Sequence, residues 1–449
     1  MATRIQTKLP QPIFHEPIFN EDGSLRDPTG FSIQHPSDNA LYKRIGDLLK
    51  KSVVPIPQSR SKRDDIFGLG EAYGSVGPEI IKQITQTGNI VFHAFGDSGA
   101  SNTRKYANEL RVADQVTVDT ASSPQNGRAA FLYHLGDVVY NFGEARYYYD
   151  QFYEPFRNYP APIFAIPGNH DSFIVPGTKP EDAPLATFQR NFCSPQTVIP
   201  PEAGSLHRTA MIQPGVYFTL DAPFVRIIGL FSNALEDPGV ISNLSKKWPK
   251  VSNVQLDFLR AQLQRIRQEK FAGAVLLATH HPPFSYAPPD AANGTGGNHG
   301  CSTEMLAEVD SVCHDVGVYP HAFLSAHAHN CQRYTRLIQF GGKEIGVPFV
   351  VCGDGGHNVN PLVRPLRGHP AVEPHPGIDV MYLEGGKPVV TVNHLILAKY
   401  EDHNYGYLRI YVDRQYLKIG FHQVGVRTLE QSRYDMVTVR LADRHLVAN

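Results

Sequence analysis

An α/β fold carried by short, fully covered strands is what this sequence predicts, on three observations. Apolar runs of strand length recur through the middle of the chain, each stopped by a turn residue and followed at once by Asp, Asn or His. An amphipathic stretch of helical period stands directly before one of these runs. The chain has 449 residues, 41% hydrophobic and 19% charged, which suits one large α/β domain with an extension.

Taken in order, residues 1–88 read as an N-terminal extension packing on a main domain over 89–449. Within the extension, 39–50 places Leu41, Ile45, Leu48 and Leu49 on one helical face, and 77–84, with Pro78 in its first turn, reads as a second short helix. Residues 53–57 and 60–65 are loop-like, and no alternating pattern announces a β-sandwich. The first apolar run, 89–95, ends in Gly96 and Asp97. The run 128–135 ends in Gly136 and Asp137, with Tyr140 three residues further on. The run 161–167 hands over to Gly168, Asn169, His170 and Asp171. The amphipathic stretch 253–270 precedes the run 272–279, which ends in His280 and His281, and 322–326 closes on His327 and His329. Residues 347–356 and 404–413 resemble late strands, and no internal repeat is visible.

Runs of this kind fit strands buried on both faces, and reactive groups in open α/β sheets gather past the carboxyl ends of such strands. If the strands are parallel neighbours, their ends converge on one rim. Two carboxylates, one phenol, one amide and three imidazoles then meet there, hard oxygen and borderline nitrogen donors suited to iron, zinc or manganese. The formal net charge of −1 gives no general attraction to nucleic acid or anionic membranes, so neither partner is expected. The start of the chain has no signal-peptide pattern and no stretch approaches a membrane span, so a cytoplasmic protein is expected. Five scattered cysteines without a Cys-x-x-Cys pair suit reduced thiols.

Gly96-Asp97-x-Gly99, Gly136-Asp137-x-x-Tyr140, Gly168-Asn169-His170-Asp171, His280-x-Pro282 and His327-x-His329, in this order, resemble the five motifs of the purple acid phosphatases within the calcineurin-like metallophosphoesterases. The resemblance spans roughly residues 89 to 425. Tyr140 marks the tyrosine branch, and Gly99 stands where other relatives carry a histidine. One departure is Ser325-Ala326 before His327, where the family commonly has Gly. The resemblance implies a four-layer αββα sandwich of two mixed sheets with flanking helices, and a two-metal centre between the sheets.

It further implies that Asp97, Asp137, Tyr140 and His329 hold one ion, ferric in the family. Asp137, Asn169, His280 and His327 hold the second, a divalent iron, zinc or manganese. Donor chemistry agrees, since phenolate and carboxylates suit a trivalent ion while amide and neutral imidazoles suit a divalent one. Asp137 can bridge because a carboxylate has two oxygens to share. His170 is expected to bind the phosphoryl group and protonate the leaving alcohol, with Asp171 orienting it. His299, in the Gly-rich loop 293–300, resembles the family's second substrate histidine. His281 is expected beside the ligands or facing substrate, and Cys331 as a buried neutral thiol. Arg333 either orients the site or forms an ordinary surface ion pair.

The expected reaction is metal-dependent hydrolysis of small phosphate monoesters, with hydroxide generated at the two ions as nucleophile. The alternative is a phosphodiesterase or nucleotide hydrolase on the same centre, and a third class, a binding protein with a decayed centre, is disfavoured by the full set of ligand types.

Overall fold

The computed structural model describes residues 51–60, 65–140, 142–173, 183–204, 206–286, 299, 302–363, 373–377, 381–384, 387–390, 395–426 and 428–447. The helix expected over 39–50 lies outside these residues. Strands run in chain order as β1 (Ile66–Gly68), β2 (Asn89–Phe95), β3 (Ala129–His134), β4 (Ile163–Ala165), β5 (Phe218–Ala222), β6 (Val225–Gly229), β7 (Ala274–Ala278) and β8 (Ala322–Ser325). They continue as β9 (Cys331–Phe340), β10 (Lys343–Cys352), β11 (Met381–Glu384), β12 (Lys387–Val390), β13 (Leu395–Glu401), β14 (Gly406–Asp413), β15 (Tyr416–Gln423), β16 (Arg433–Arg440) and β17 (Leu446–Val447). The longer helices are α1 (Gly77–Thr87), α2 (Thr103–Ser122), α3 (Val254–Gln268) and α4 (Thr303–Val316).

Two mixed sheets carry the fold. One has the order β17-β16-β15-β14-β2-β3-β4, with β2, β3 and β4 parallel and the rest antiparallel. The other has the order β1-β5-β6-β7-β8-β10-β9-β13, with a parallel run β6-β7-β8-β10 at its centre. A sheet covered on both faces needs apolar side chains on both, and the continuous burial of β2 and β7 answers that need. The inner faces meet through aromatic rings: Phe67 lies 5.7 Å from Phe164, and Tyr133 lies 6.1 Å from Phe218. Each such ring, fully buried, contributes roughly 1.5–3 kcal/mol.

α3 and α4 pack against each other, as the apolar spacing of 253–270 requires, with Leu256, Leu259, Leu263 and Ile266 buried. α2 crosses over between the parallel strands β2 and β3, and its Asp119 fixes it to the sheet: the carboxylate meets His93 of β2 at 3.0 Å and accepts from Arg409 of β14. The expected late strands are present as β10 and β14, and the short helix as α1. Residues 66–68, within the stretch that carries no strand signal, form β1, paired in parallel with β5. A three-residue strand on a sheet edge is too short to show a period. No helix among the described residues is long and apolar enough to cross a membrane.

Candidate metal centre

The expected ligand residues do not meet on the rim of one sheet; they face each other across two. Asp97, Asp137 and Asn169 follow β2, β3 and β4, whereas His280 follows β7 and His327 and His329 follow β8. The parallel arrangement inside each sheet brings the carboxyl ends to the same side, and stacking the sheets then closes the gap between the two sets. The local backbone is strained to do so. Asp97, Asp137 and His327 have φ of 55°, 56° and 67°. Left-handed conformations of this kind cost roughly 1–3 kcal/mol each in non-glycine residues and concentrate at functional sites. Gly168 is required by close approach, since a Cβ there would stand 2.1 Å from Asp137 Oδ1.

Two neighbouring donor clusters result, and Asp137, a member of the second, also acts on Tyr140 of the first. In the first, Tyr140 Oη lies 2.8 Å from Asp97 Oδ1 and 3.2 Å from His329 Nε2, and the last two atoms are 3.4 Å apart. In the second, His280 Nε2 is 2.9 Å from Asn169 Oδ1 and 3.4 Å from Asp137 Oδ2, while His327 Nδ1 is 3.1 Å from Asn169 Oδ1 and 3.2 Å from His280 Nε2. Ligand atoms about 2.0–2.2 Å from one ion lie about 3.0–3.4 Å from each other, so these separations match the edges of a coordination polyhedron.

The residues fit a cation on chemical grounds as well. His280 Nδ1–H donates to the Leu135 carbonyl at 2.9 Å and His327 Nε2–H to the Glu236 carbonyl at 2.6 Å. A carbonyl can only accept, so the second nitrogen of each neutral ring is a lone pair turned towards Asn169 Oδ1. Three acceptors in a buried space repel unless a positive charge joins them. Asp137 Oδ2 is likewise buried and accepts no hydrogen bond among the described residues. Without a metal the cluster recruits a proton instead: burial disfavours the His280 imidazolium, but Asp137 outweighs it and holds the pKa at about 9. The Tyr140 phenol is pushed well above its usual value by burial and by Asp137 and Asp97, so a phenolate here needs a strongly charged cation.

The other expected residues fall as follows. His170 is half-buried, its ring 4.3 Å from Tyr140, and its N–H donates to Asp137 Oδ1 at 2.9 Å. His299 reaches the centre, 4.5 Å from the His327 ring and 5.1 Å from His329, with Nδ1 3.2 Å from Glu236 Oε1. His281 is beside the ligands rather than facing substrate: it is fully buried, hydrogen-bonded to Ser232 Oγ and to the Leu235 carbonyl. Asp171 does not orient His170. Its carboxylate accepts N–H groups of Val138, Val139 and Gly168 at 2.9–3.1 Å, which locks the loops after β3 and β4 together. Arg333 forms an ion pair, but not a surface one: a two-pronged bond joins it to Asp435 at 2.6 and 2.9 Å, and both side chains are largely buried. Cys331 is a buried thiol pushed up by burial, and Ala326 packs its methyl over Gly96.

Three neighbours escaped the sequence reading. Glu236 contacts His299 through its carboxylate and His327 through its carbonyl. His357 and Lys105 stand behind Tyr140. Only His357 left a signal, for it closes Gly353-Asp354-Gly355-Gly356 after the apolar run of β10, the same grammar as the ligand loops.

Among solved structures, the chain is similar to GAP50, the anchor in the inner membrane complex of Plasmodium, at 10% identity over 75% of this chain and 84% of that one, with a TM-score of 0.43. It is similar to PhoD at 11% identity over 80% of this chain and 71% of that one, with a TM-score of 0.45. A conserved uncharacterized protein from Streptococcus pneumoniae, described as a predicted phosphoesterase, matches at 10% identity over 75% and 90% with a TM-score of 0.25. No curated protein matches in sequence. The family model of the calcineurin-like phosphoesterases matches residues 90–331, more than half of the 449 residues. The chain therefore belongs to the calcineurin-like phosphoesterases, a family of metal-dependent phosphoester hydrolases.

Proposed function

We propose that this protein hydrolyses phosphate monoesters at a dinuclear centre of the purple acid phosphatase kind. The observation that carries the reading is the pair of neighbouring donor clusters, one containing the Tyr140 phenol and the other Asp137, which also acts on that phenol. Asp97, Asp137, Tyr140 and His329 would hold ferric iron, and Asp137, Asn169, His280 and His327 a divalent iron, zinc or manganese. When bound, two such ions neutralise phosphate charge and lower the pKa of water near neutral pH.

The chain's own groups do the rest. Asp171 fixes the loops that carry Asp137 and Asn169, so the ligands are set before substrate arrives. The Leu135 and Glu236 carbonyls hold His280 and His327 in the tautomers that present a lone pair. His170 and His299 lie beside the two clusters, His170 against Tyr140 and His299 against His327 and His329. A phosphoryl group seated between them meets donors on both sides, and His170, the one over the phenol, is placed to give a proton to the departing alcohol oxygen. Burial disfavours the charged His299 imidazole, but the Glu236 carboxylate beside it outweighs that cost and raises its pKa.

The test is metal content measured alongside turnover of p-nitrophenyl phosphate and its bis-ester. Two metals per chain, monoester turnover the faster, and loss of activity on chelation with recovery on re-addition are expected. Activity that survives complete metal removal refutes the proposal, and faster diester turnover replaces it with the phosphodiesterase reading.

A further inference from the structure

His357 has no part in the ligand set, yet its ring lies flat on Tyr140. The ring centroids are 3.5 Å apart and the planes 20° from parallel. His170 meets the same phenol more loosely, at 4.3 Å and 36°.

The backbone has been brought to this place by a series of specific bonds. After β10, the Gly353 N–H donates to the Asn330 carbonyl at 3.2 Å, Gly355 to Gly96 at 3.1 Å, and His357 to Asp97 at 2.9 Å. The segment is thereby fastened to the loop that presents Asp97 and to the one that follows His329. Gly353 permits this approach, because a Cβ there would stand 2.5 Å from Asp97 Oδ2 and 2.2 Å from the Ala328 carbonyl. The imidazole itself is fixed at both polar corners. Nδ1–H donates to the Gly99 carbonyl, and Nε2 lies 2.7 Å from Lys105 Nζ, which also donates to Ser101 Oγ at 3.0 Å. An ammonium has only donors, so Nε2 accepts and the ring is the neutral Nδ1–H form.

We propose that His357, braced by Lys105, is a positioning residue for Tyr140, its ring fixing the plane of the phenol so that the oxygen stays between Asp97 and His329. A tyrosine in a gap can swing its oxygen about the Cα–Cβ bond. A flat ring at 3.5 Å, itself tied at two corners, removes that freedom. The Lys105 ammonium draws electron density from the imidazole, and an electron-poor ring is the better partner for the electron-rich face of a phenol. The consequence for a metal rests on the ligand role proposed above for Tyr140; the positioning itself does not.

The experiment uses the full chain labelled with 3-fluorotyrosine, without metal, read by fluorine-19 NMR. The signal of Tyr140, one of 21 tyrosines, is the one missing in Tyr140→Phe. In His357→Ala that signal is expected to move towards the main group and broaden, because the ring current and the restraint are both gone. His357→Phe, which keeps a flat ring, is expected to restore most of the displacement. An unchanged Tyr140 signal in His357→Ala overturns the proposal. Should His357→Ala fail to fold, Lys105→Met decides, since it leaves the ring but frees one corner: a broadened Tyr140 signal supports the brace and an unaltered one refutes it. In iron-loaded protein a shifted visible band is expected for His357→Ala. A wild type with no such band would remove the ligand reading of Tyr140 while the metal-free spectra still answer for the positioning.

Discussion

Tyr140 carries more of the reading than any other residue, because its neighbours make opposite demands on it. Burial together with Asp97 and Asp137 favours the protonated phenol, whereas the approach of Asp97 Oδ1 and His329 Nε2 to within 3.2 Å builds a socket for an ion. On the ferric assignment, Tyr140→Phe is expected to stay folded, since it removes one hydroxyl, and to lose the tyrosinate-to-iron absorption of the loaded protein. An unchanged visible spectrum in the variant would make Tyr140 a core aromatic. His170 poses the complementary case of a residue beside the centre, whose backbone N–H donates to the expected ligand Asp137. His170→Ala is expected to keep its metals while turnover falls about 10²- to 10⁴-fold, the usual contribution of a positioned acid; loss of metal from the variant would make it a ligand. At this scale the sequence was legible where two candidate residues share one short loop, as with Asp137 and Tyr140, which the structure brings together. It misled at Asp171, because adjacency to His170 says nothing of direction, and that carboxylate turns to the N–H groups of Val138, Val139 and Gly168. Glu236 was invisible, since it stands on an irregular loop that no apolar run announces.

The loops after the strands are the working elements, and their glycines set how closely they approach. Apolar runs of strand length betrayed β2, β3, β4, β7 and β8, since strands covered on both faces cannot hide their composition, and the period of 3.6 residues betrayed α3. The pairing was not legible. Nothing local distinguishes a run that joins β2 from one that joins β7, and the division of the candidate ligands between two sheets is implied by the family resemblance and visible in the structure, not in any single run. Gly168 tests the importance of loop approach. Its absent Cβ leaves room for Asp137, whose Oδ1 would be 2.1 Å and backbone N 2.4 Å from that carbon. Gly168→Ala is therefore expected to force the loop after β4 away from the one after β3. The variant should bind less than the wild-type complement of metal by elemental analysis while retaining wild-type far-ultraviolet circular dichroism. Full metal occupancy in Gly168→Ala would show that the two loops adjust independently.

Across the whole molecule, a buried cluster of candidate metal ligands between two sheets sits within a core that also shelters neutral histidines remote from it, and the latter set how the fold responds to acid. His422 lies on β15, hydrogen-bonded through Nδ1 to Ser432 Oγ at 2.8 Å and buried at 4% exposure. Burial lowers its pKa to about 4, with Asp119 partly opposing and Arg409 and His93 adding to the shift. His321, at the start of the run that becomes β8, is lowered by burial and Arg444 to about 3. A histidine whose folded pKa is depressed contributes its full stability above the unfolded value of about 6.5, and loses it as pH falls from there through the folded value. For His422 the window is roughly pH 6.5 down to 4, and a shift of that size corresponds to about 3 kcal/mol at most. Buried acids act in the opposite sense: Glu109 and Asp150 are raised by burial, so their contribution is present in acid and lost as pH rises. Because these terms overlap, the net curve of the wild type does not isolate either one, whereas a substitution does. His422→Gln, which keeps a polar group beside Ser432 without a titrating ring, is expected to lower stability at pH 7 and to flatten the fall between pH 7 and 4.5 by about 2–3 kcal/mol. Urea unfolding of metal-free wild type and variant at both values gives the comparison, and equal slopes against pH would mean that His422 titrates in the folded protein as it does in the unfolded chain.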